Sequence, residues 1–168
     1  MLMNRLQAYL AQYAAYHRDK RNLLTHFVGI PMIVLAIGEL LSLPRFFPDF
    51  TALTPALLLT LLACVFYLWL DIGLGLIMCL WMGGSLLFAQ QLVELSGDYG
   101  LMIGIGLFVV GWVFQFIGHY FEGRKPAFVD DIVGLLIGPL FIAVELLYLL
   151  GCYSRLYHQV EDQVGPLR

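Results

Sequence analysis

Three histidines and a glutamate are the residues of this chain whose types and spacing are best suited to chemistry. His17 ends a short amphipathic segment, His26 opens the first long apolar run, and His119 is followed by Glu122. Gln115, His119 and Glu122 recur at helical spacing and form a polar stripe in an apolar segment. A polar stripe at membrane depth usually faces the protein interior. We therefore expect these side chains to share one functional site.

Imidazoles and a carboxylate on facing helices suit a first-row divalent metal, and iron(II) with open positions for substrate and oxygen is one candidate. The polar stretch between His17 and His26 predicts a break between two helices, with Asn22 as the N-cap of the second. The alternative is structural: interfacial histidines often hydrogen-bond to headgroups or backbone, and Glu122 then only flanks a helix end beside Arg124 and Lys125.

The elements that carry these residues are predicted to be membrane-spanning helices. The chain has 168 residues, of which 61% are hydrophobic and 12% charged, whereas soluble domains carry about 25% charged residues. Five apolar runs approach the length that a spanning helix needs: Phe27 to Leu43, Leu53 to Leu70, Ile72 to Val93, Gly100 to Phe121 and Ile132 to Leu150. In lipid the backbone must satisfy its own hydrogen bonds, which favours helices. We predict an all-α polytopic membrane helical bundle of about five transmembrane helices, with residues 1–168 as a single integral membrane domain.

Two shorter features complete this predicted architecture. Residues Leu2 to Tyr16 place Leu6, Leu10 and Tyr13 on one stripe, which predicts an N-terminal amphipathic helix on the membrane surface. Asp71 alone separates the second and third runs and is expected to cap the third helix in a tight hairpin.

The distribution of Lys and Arg predicts a cytoplasmic N-terminus by the positive-inside rule. In a five-span topology one side carries Arg5, Arg18, Lys20, Arg21, Arg124 and Lys125, and the other carries Arg45, Arg155 and Arg168. Four spans separate the N-terminal segment from the loop after Phe121, so His17, His26 and His119 face the same compartment. His158 follows the fifth span and is excluded from the site. The carboxylates Glu39 and Glu145 lie within spans and are expected to snorkel toward the far interface.

Two strings of the sequence, YHRDKRNLLTHFVGIP from Tyr16 and GWVFQFIGHYFEGRKPAFVDD from Gly111, support a family resemblance. Most of the chain resembles the membrane-bound 2-hydroxy fatty acid dioxygenases, which include the fungal α-oxidation enzyme of phytosphingosine breakdown and bacterial relatives. The resemblance implies an Fe(2+)-dependent enzyme that cleaves C1–C2 of a 2-hydroxy fatty acid and shortens it by one carbon. It implies that His17, His26 and His119 hold the iron, and Glu122 matches the family's acidic position.

The implied reaction agrees with the chemistry of its substrate. Conversion of a 2-hydroxy acid and O2 to the shorter acid, CO2 and water takes all four electrons from the acid, so no NAD, flavin or 2-oxoglutarate is required. The adjacent hydroxyl and carboxylate can chelate iron together. The acyl chain is expected to lie among the spans. Candidate substrate-binding residues are Lys20, Arg21, Gln115, Arg124 and Lys125.

Other function classes fit the sequence less well. A net charge of −3 and a pI near 5.7 argue against a nucleic-acid partner. Membrane di-iron hydroxylases need several histidine boxes, which four histidines cannot supply. A non-enzymatic small transporter or interaction scaffold remains the alternative. The partners expected are a 2-hydroxy fatty acid, O2 and membrane lipid, with the site on the cytoplasmic side of a bacterial inner membrane or of the endoplasmic reticulum.

Overall fold

Helices form the regular structure of residues 4–44 and 53–168, which are the residues that this computed structural model describes. Seven α-helices lie in these ranges: α1 (Arg5–Ala14), α2 (Lys20–Ser42), α3 (Pro55–Leu70), α4 (Ile72–Ser96), α5 (Gly100–Glu122), α6 (Gly134–Leu149) and α7 (Ser154–Val164). Short 3-10 helices occur at Gly97–Tyr99 and Ala127–Val129, and the described ranges contain no strand. The all-α class is confirmed, and the five apolar runs correspond to α2 through α6. Arg45 and Leu2 lie outside the described residues.

Local sequence explains where several helices begin. Asn4 and Gln7 form a capping box at the start of α1. Thr54 caps α3, and Pro55 occupies its first position. The Asp71 carboxylate accepts a hydrogen bond from the Leu74 N–H at 2.8 Å, so its expected role as the cap between α3 and α4 is confirmed.

The chain divides into two compact units, and the expected single membrane domain remains a prediction. Unit 1 consists of Met1–Ile30 and Val113–Arg168, and unit 2 of Pro31–Trp112. Within unit 2, α3 packs against α4 as a helical hairpin. Gly75 permits this close packing, because a Cβ at that position would lie 2.6 Å from the Cα of Leu68. Large apolar side chains of the hairpin are exposed, as on a surface that faces lipid: Leu61, Leu62, Val65, Leu80 and Leu87.

Two stretches of the described chain are long and apolar enough to cross a membrane. They are Lys20–Ser42 and Ile72–Glu122, of which the second contains both α4 and α5. A third candidate arises only if α6 and α7, which are bent by 117° relative to each other, are counted together as one broken span. Helix α3 is apolar but shorter. These helices indicate a membrane protein, and the expected five spans are not confirmed.

Unit 1 buries much of α6 and one stripe of α1 within the protein. In α6, Ile137, Leu140 and Phe141 are almost completely buried, and this helix packs against α1 and α7. A helix that is apolar all round is buried either in lipid or in protein, and α6 lies largely in protein. The stripe of α1 that was expected to face the membrane is likewise buried against α6 and α7. Its helical and amphipathic character is confirmed.

The segment 165–168 contacts the corner that carries His17, which contradicts the expected position of Arg168. The Arg168 N–H donates to the Arg18 carbonyl at 2.7 Å, and the Lys20 N–H donates to the Arg168 carbonyl at 3.1 Å. Unit 1, as a whole, contains every Lys and Arg of the chain except Arg45. The prediction that Arg168 lies across the membrane from His17 is wrong, whereas the sides on which Arg155 and His158 lie stay predictions. His158 is nevertheless exposed on α7 beside Glu161 and is not part of the histidine group described below.

Candidate metal centre

His17, His26 and His119 meet at one buried point of unit 1. Their exposed fractions are 0%, 1% and 6%. The ring centroids lie 4.5 Å apart for His17 and His26, 4.9 Å for His17 and His119, and 5.0 Å for His26 and His119. One nitrogen of each ring lies within 4.8 Å of the other two. The structure therefore brings together the three imidazoles singled out in the sequence.

The hydrogen bonds of two of these rings fix which nitrogen carries the proton. The Nδ1 of His17 lies 2.7 Å from the Tyr13 carbonyl, and the Nδ1 of His26 lies 2.8 Å from the Asn22 carbonyl. Because a carbonyl oxygen only accepts, each Nδ1–H is the donor. In the neutral rings both Nε2 atoms then carry lone pairs, and these atoms are only 3.1 Å apart.

Two facing lone pairs at this distance repel each other unless a cation or a proton lies between them. Metal-binding histidines typically donate their second ring nitrogen to a carbonyl or carboxylate, as both rings do here. Within the described residues the buried Nδ1 of His119 has no hydrogen-bond partner. The donor set therefore fits a divalent transition metal bound by three imidazoles.

Burial keeps His17 in the form that binds metal. Desolvation lowers the pKa of His17 well below its ordinary value, and the nearby His26 and His119 lower it further. The hydrogen bond to the Tyr13 carbonyl opposes this shift without reversing it. At neutral pH the ring is therefore uncharged and its Nε2 lone pair is available.

Aromatic packing and a sharp corner position His17. The Tyr13 ring stacks on the imidazole with a centroid distance of 4.1 Å and an interplanar angle of 8°, and Phe141 of α6 packs against both rings. The corner is the turn between α1 and α2. After it, at the start of α2, an Asp19 carboxylate oxygen accepts a hydrogen bond from the Arg21 N–H at 2.8 Å. The N-cap predicted at Asn22 is wrong, since α2 begins at Lys20.

Gly118 allows α5 to approach α2 at the level of the histidines. A Cβ at this position would overlap the Thr25 Oγ1 and the Asn22 Oδ1, and it would lie 3.1 Å from the His26 Nδ1. The Asn22 carbonyl accepts from both Thr25 Oγ1 and His26 Nδ1. The missing side chain of Gly118 is thus a condition for the observed position of His26 relative to His119.

Glu122 is buried near the corner but does not belong to the three-histidine group. Its Oε2 accepts from the Asp19 N–H at 2.7 Å and from the Asn22 Nδ2 at 3.1 Å. Its Oε1 lies 3.3 Å from an Arg168 guanidinium nitrogen. These contacts connect the end of α5 to the corner between α1 and α2, on which His17 and His26 depend.

The five candidate substrate-binding residues lie in different environments. Gln115 is buried, and its Nε2 has no partner in the described part of the chain. Arg21 pairs with Asp19, and Lys125 pairs with Asp130. Arg124 is exposed and donates to the Ala15 carbonyl at 2.8 Å, and Lys20 is exposed. The structure does not gather them around the imidazoles as a set.

Comparison with known proteins shows the family to which this chain belongs. The family model described as "2-hydroxy-palmitic acid dioxygenase Mpo1-like" matches residues 3–149, which include the three histidines and Glu122. The chain belongs to the Mpo1-like family. It is 32% identical over 161 residues to the 2-hydroxy-palmitic acid dioxygenase MPO1 of Saccharomyces cerevisiae, an alignment that covers 95% of this chain and 89% of the yeast protein. No solved structure matches.

Membership of the Mpo1-like family confirms the resemblance stated from the sequence. The expectation of an enzyme is confirmed, because the family and the yeast relative are 2-hydroxy fatty acid dioxygenases. The alternative of a transporter or scaffold is not favoured.

Sequence reasoning missed a buried ion pair beside the histidines. Arg18 is buried, and its Nε donates to the carbonyls of Ala14 and His17 at 2.9 and 3.2 Å. A second guanidinium nitrogen donates to the Gly165 carbonyl at 2.9 Å, and a third lies 4.0 Å from Glu145. Glu145 is therefore buried beside Arg18 and does not snorkel toward the far interface. The position of Arg18 directly after His17 was the available signal.

Proposed function

We propose that the protein is an iron(II)-dependent dioxygenase that cleaves the C1–C2 bond of 2-hydroxy fatty acids. The products are CO2, water and the acid one carbon shorter. The observation that carries this proposal is the pair of Nε2 atoms 3.1 Å apart, completed by the imidazole of His119. Family membership supplies the reaction class, and the three neutral nitrogen donors suit iron(II).

The protein's own residues hold the site and keep it dry. His17, His26 and His119 supply the nitrogen donors, and the carbonyls of Tyr13 and Asn22 orient two of the rings. Tyr13 and Phe141 cover His17 with apolar surface. Iron(II), when bound, supplies open positions at which the substrate's adjacent hydroxyl and carboxylate can meet O2. Three imidazole donors are fewer than the number of ligands that iron(II) accepts.

Glu122 acts in this proposal as a positioning residue. Its carboxylate holds the Asp19 N–H and the Asn22 side chain, and the Asn22 carbonyl in turn orients His26. Residues that orient metal ligands commonly affect metal affinity by about 10–100-fold. These contacts favour an indirect role over the direct ligation that the sequence suggested.

The reaction class predicts strict selectivity for the 2-hydroxyl group. Given a long-chain 2-hydroxy fatty acid, iron(II) and O2, the purified protein should release the shorter acid without NAD(P)H or 2-oxoglutarate. The reaction consumes one O2 for each CO2 formed, because the acid supplies all four electrons. The non-hydroxylated acid of equal length should be inert, since it lacks the second adjacent oxygen. Product analysis by mass spectrometry with parallel oxygen measurement tests this. Equal processing of both acids, or an absolute need for an external reductant, would contradict the mechanism.

We place the site on the cytoplasmic face of the membrane. Unit 1 carries Arg5, Arg18, Lys20, Arg21, Arg124, Lys125, Arg155 and Arg168. This excess satisfies the positive-inside rule more strongly than the five-span count did. A bacterial inner membrane or the endoplasmic reticulum meets this requirement.

Site-directed labelling should report one compartment for all of unit 1. In a background that lacks Cys64, Cys79 and Cys152, single cysteines at the exposed positions Lys20, Lys125 and Asp162 should react with the same impermeant maleimide from the cytoplasmic side. A five-span topology instead places position 162 across the membrane from the other two. Labelling of position 162 from the opposite side would restore that topology.

A further inference from the structure

An open cleft of about 560 Å³ lies in unit 1 next to the corner that carries His17. Residues on its walls include Ala15, Arg18, Arg124, Gly165, Pro166 and Arg168. Three of the lining residues are arginines, and none is acidic. The cleft is built from segments of the candidate site: Ala15 and Arg18 flank His17 in the sequence, and Arg124 follows the end of α5.

The positive charge of this cleft is only partly compensated. Arg18 is buried and lies 4.0 Å from Glu145. The Arg168 side chain contacts Glu122 but is 70% exposed. Arg124 is exposed, and its hydrogen bond to the Ala15 carbonyl occupies a donor without neutralising the charge. Two guanidinium groups, those of Arg124 and Arg168, are therefore accessible to an anion.

We propose that this cleft captures the carboxylate of the long-chain acid before the acid reaches the histidines, with Arg124 and Arg168 as its binding residues. This inference rests on the proposed function and names the residues with which the protein recognises the acid group of its substrate. A guanidinium group offers paired N–H donors that match a carboxylate. Ala15, Val164 and Pro166 provide apolar wall beside these charges, which suits the first carbons of an acyl chain. Capture beside the histidines raises the local concentration of substrate where it reacts.

Binding to the metal-free protein tests the cleft separately from catalysis. The probe is hexadecanoate, titrated calorimetrically into protein that was stripped of metal and held in zwitterionic detergent. Arg124→Gln should weaken binding by about tenfold, which is about 1.4 kcal/mol, since it removes a charged hydrogen-bond donor from the carboxylate. Arg168→Gln should act in the same direction. Arg124→Lys, which keeps the charge, should recover most of the affinity. The uncharged hexadecanol should bind equally to all variants.

The matched control is Arg155→Gln, which removes an exposed arginine of α7 that does not line the cleft. It should change the affinity for hexadecanoate less than twofold. Equal losses from Arg155→Gln and Arg124→Gln would overturn the proposal, because the effect would then be one of net charge. Unchanged affinity in both Arg124→Gln and Arg168→Gln would also overturn it.

Two further measurements are needed. The first distinguishes a fatty-acid carboxylate from a phospholipid phosphate as the bound anion, and the second distinguishes the cleft hypothesis from the proposed reaction. Phosphatidylglycerol, which presents a phosphate headgroup, should not displace hexadecanoate at equal concentration, and efficient displacement would assign the cleft to membrane phospholipid instead. In the iron-loaded protein, Arg124→Gln should raise KM for the 2-hydroxy acid about tenfold and leave kcat within about twofold. If the wild type turns over and the variants have an unchanged KM, the cleft hypothesis is refuted and the proposed reaction is not. If the wild type binds hexadecanoate but shows no turnover, the proposed reaction is refuted and the cleft hypothesis is not.

Discussion

Each of the three substitutions His17→Ala, His26→Ala and His119→Ala should abolish iron retention and turnover. Each substitution removes one of three nitrogen donors that lie within 4.8 Å of one another. The expected loss of iron affinity exceeds about a hundredfold, because residues that merely orient a ligand already contribute about 10–100-fold. The measurement is iron per chain after anaerobic purification from detergent, together with formation of the shortened acid. The wild type should hold about one iron per chain.

Two other variants sharpen this test. His158→Ala should retain iron and activity, since His158 is exposed on α7 and contacts Glu161. Glu122→Gln should lower iron affinity about 10–100-fold and leave residual occupancy at high iron concentration, as a residue that positions the ligands would. Complete loss of iron in Glu122→Gln at any concentration would make Glu122 a ligand. Full iron retention in any of the three alanine variants at the proposed ligands would remove that histidine from the site.

The sequence predicted α1 through α6 well, because their signals are local, but it did not predict α7. Hydropathy located α2 through α6, and the single residue Asp71 sufficed to separate α3 from α4. A side chain that caps a helix N-terminus acts within a few residues, so the sequence alone contains the necessary information. The start of α2 was misplaced because Asp19, rather than Asn22, contacts its first turn.

The sequence could not distinguish a helix buried in lipid from one buried in protein. The residues of α6 are uniformly apolar, and both environments favour such a helix. What distinguishes them is the packing of α1 and α7, together with the Arg18–Glu145 pair and the contacts of Arg168. These are long-range contacts without a local signal. The expected position of Arg168 was wrong for this reason.

The grouping of His17, His26 and His119 was nevertheless predicted correctly. It depended only on the first four apolar runs, whereas the unexpected contacts of α7 and Arg168 involve residues that follow them. The supporting contacts were less accessible to sequence analysis. Tyr13 was recognised as part of an apolar stripe, but its stacking on His17 was not foreseen. The role of Gly118 was also missed, because a helical glycine before a histidine gives no indication of what faces it.

Gly118→Ala is expected to disrupt the metal centre although no ligand changes. A methyl group there overlaps the Thr25 Oγ1 and the Asn22 Oδ1. Relief of that overlap must move Asn22, whose carbonyl orients His26 and whose Nδ2 contacts Glu122. Overpacking typically costs about 1–3 kcal/mol in free energy of unfolding. We expect a lower unfolding midpoint and at least about a tenfold loss of iron affinity.

Gly106→Ala provides the matched control in the same helix. A Cβ at Gly106 meets no atom within 4 Å, and alanine favours a helix over glycine by about 1 kcal/mol. This variant should therefore keep its iron and unfold at the same or a higher temperature. Both variants replace a glycine of α5 with alanine, so they differ only in what the new methyl group contacts. If Gly118→Ala also retained wild-type iron affinity and stability, the close approach of α5 and α2 at His26 would not be a requirement of the site. If only the iron is lost while the unfolding midpoint is unchanged, the effect is confined to the orientation of His26 relative to His119.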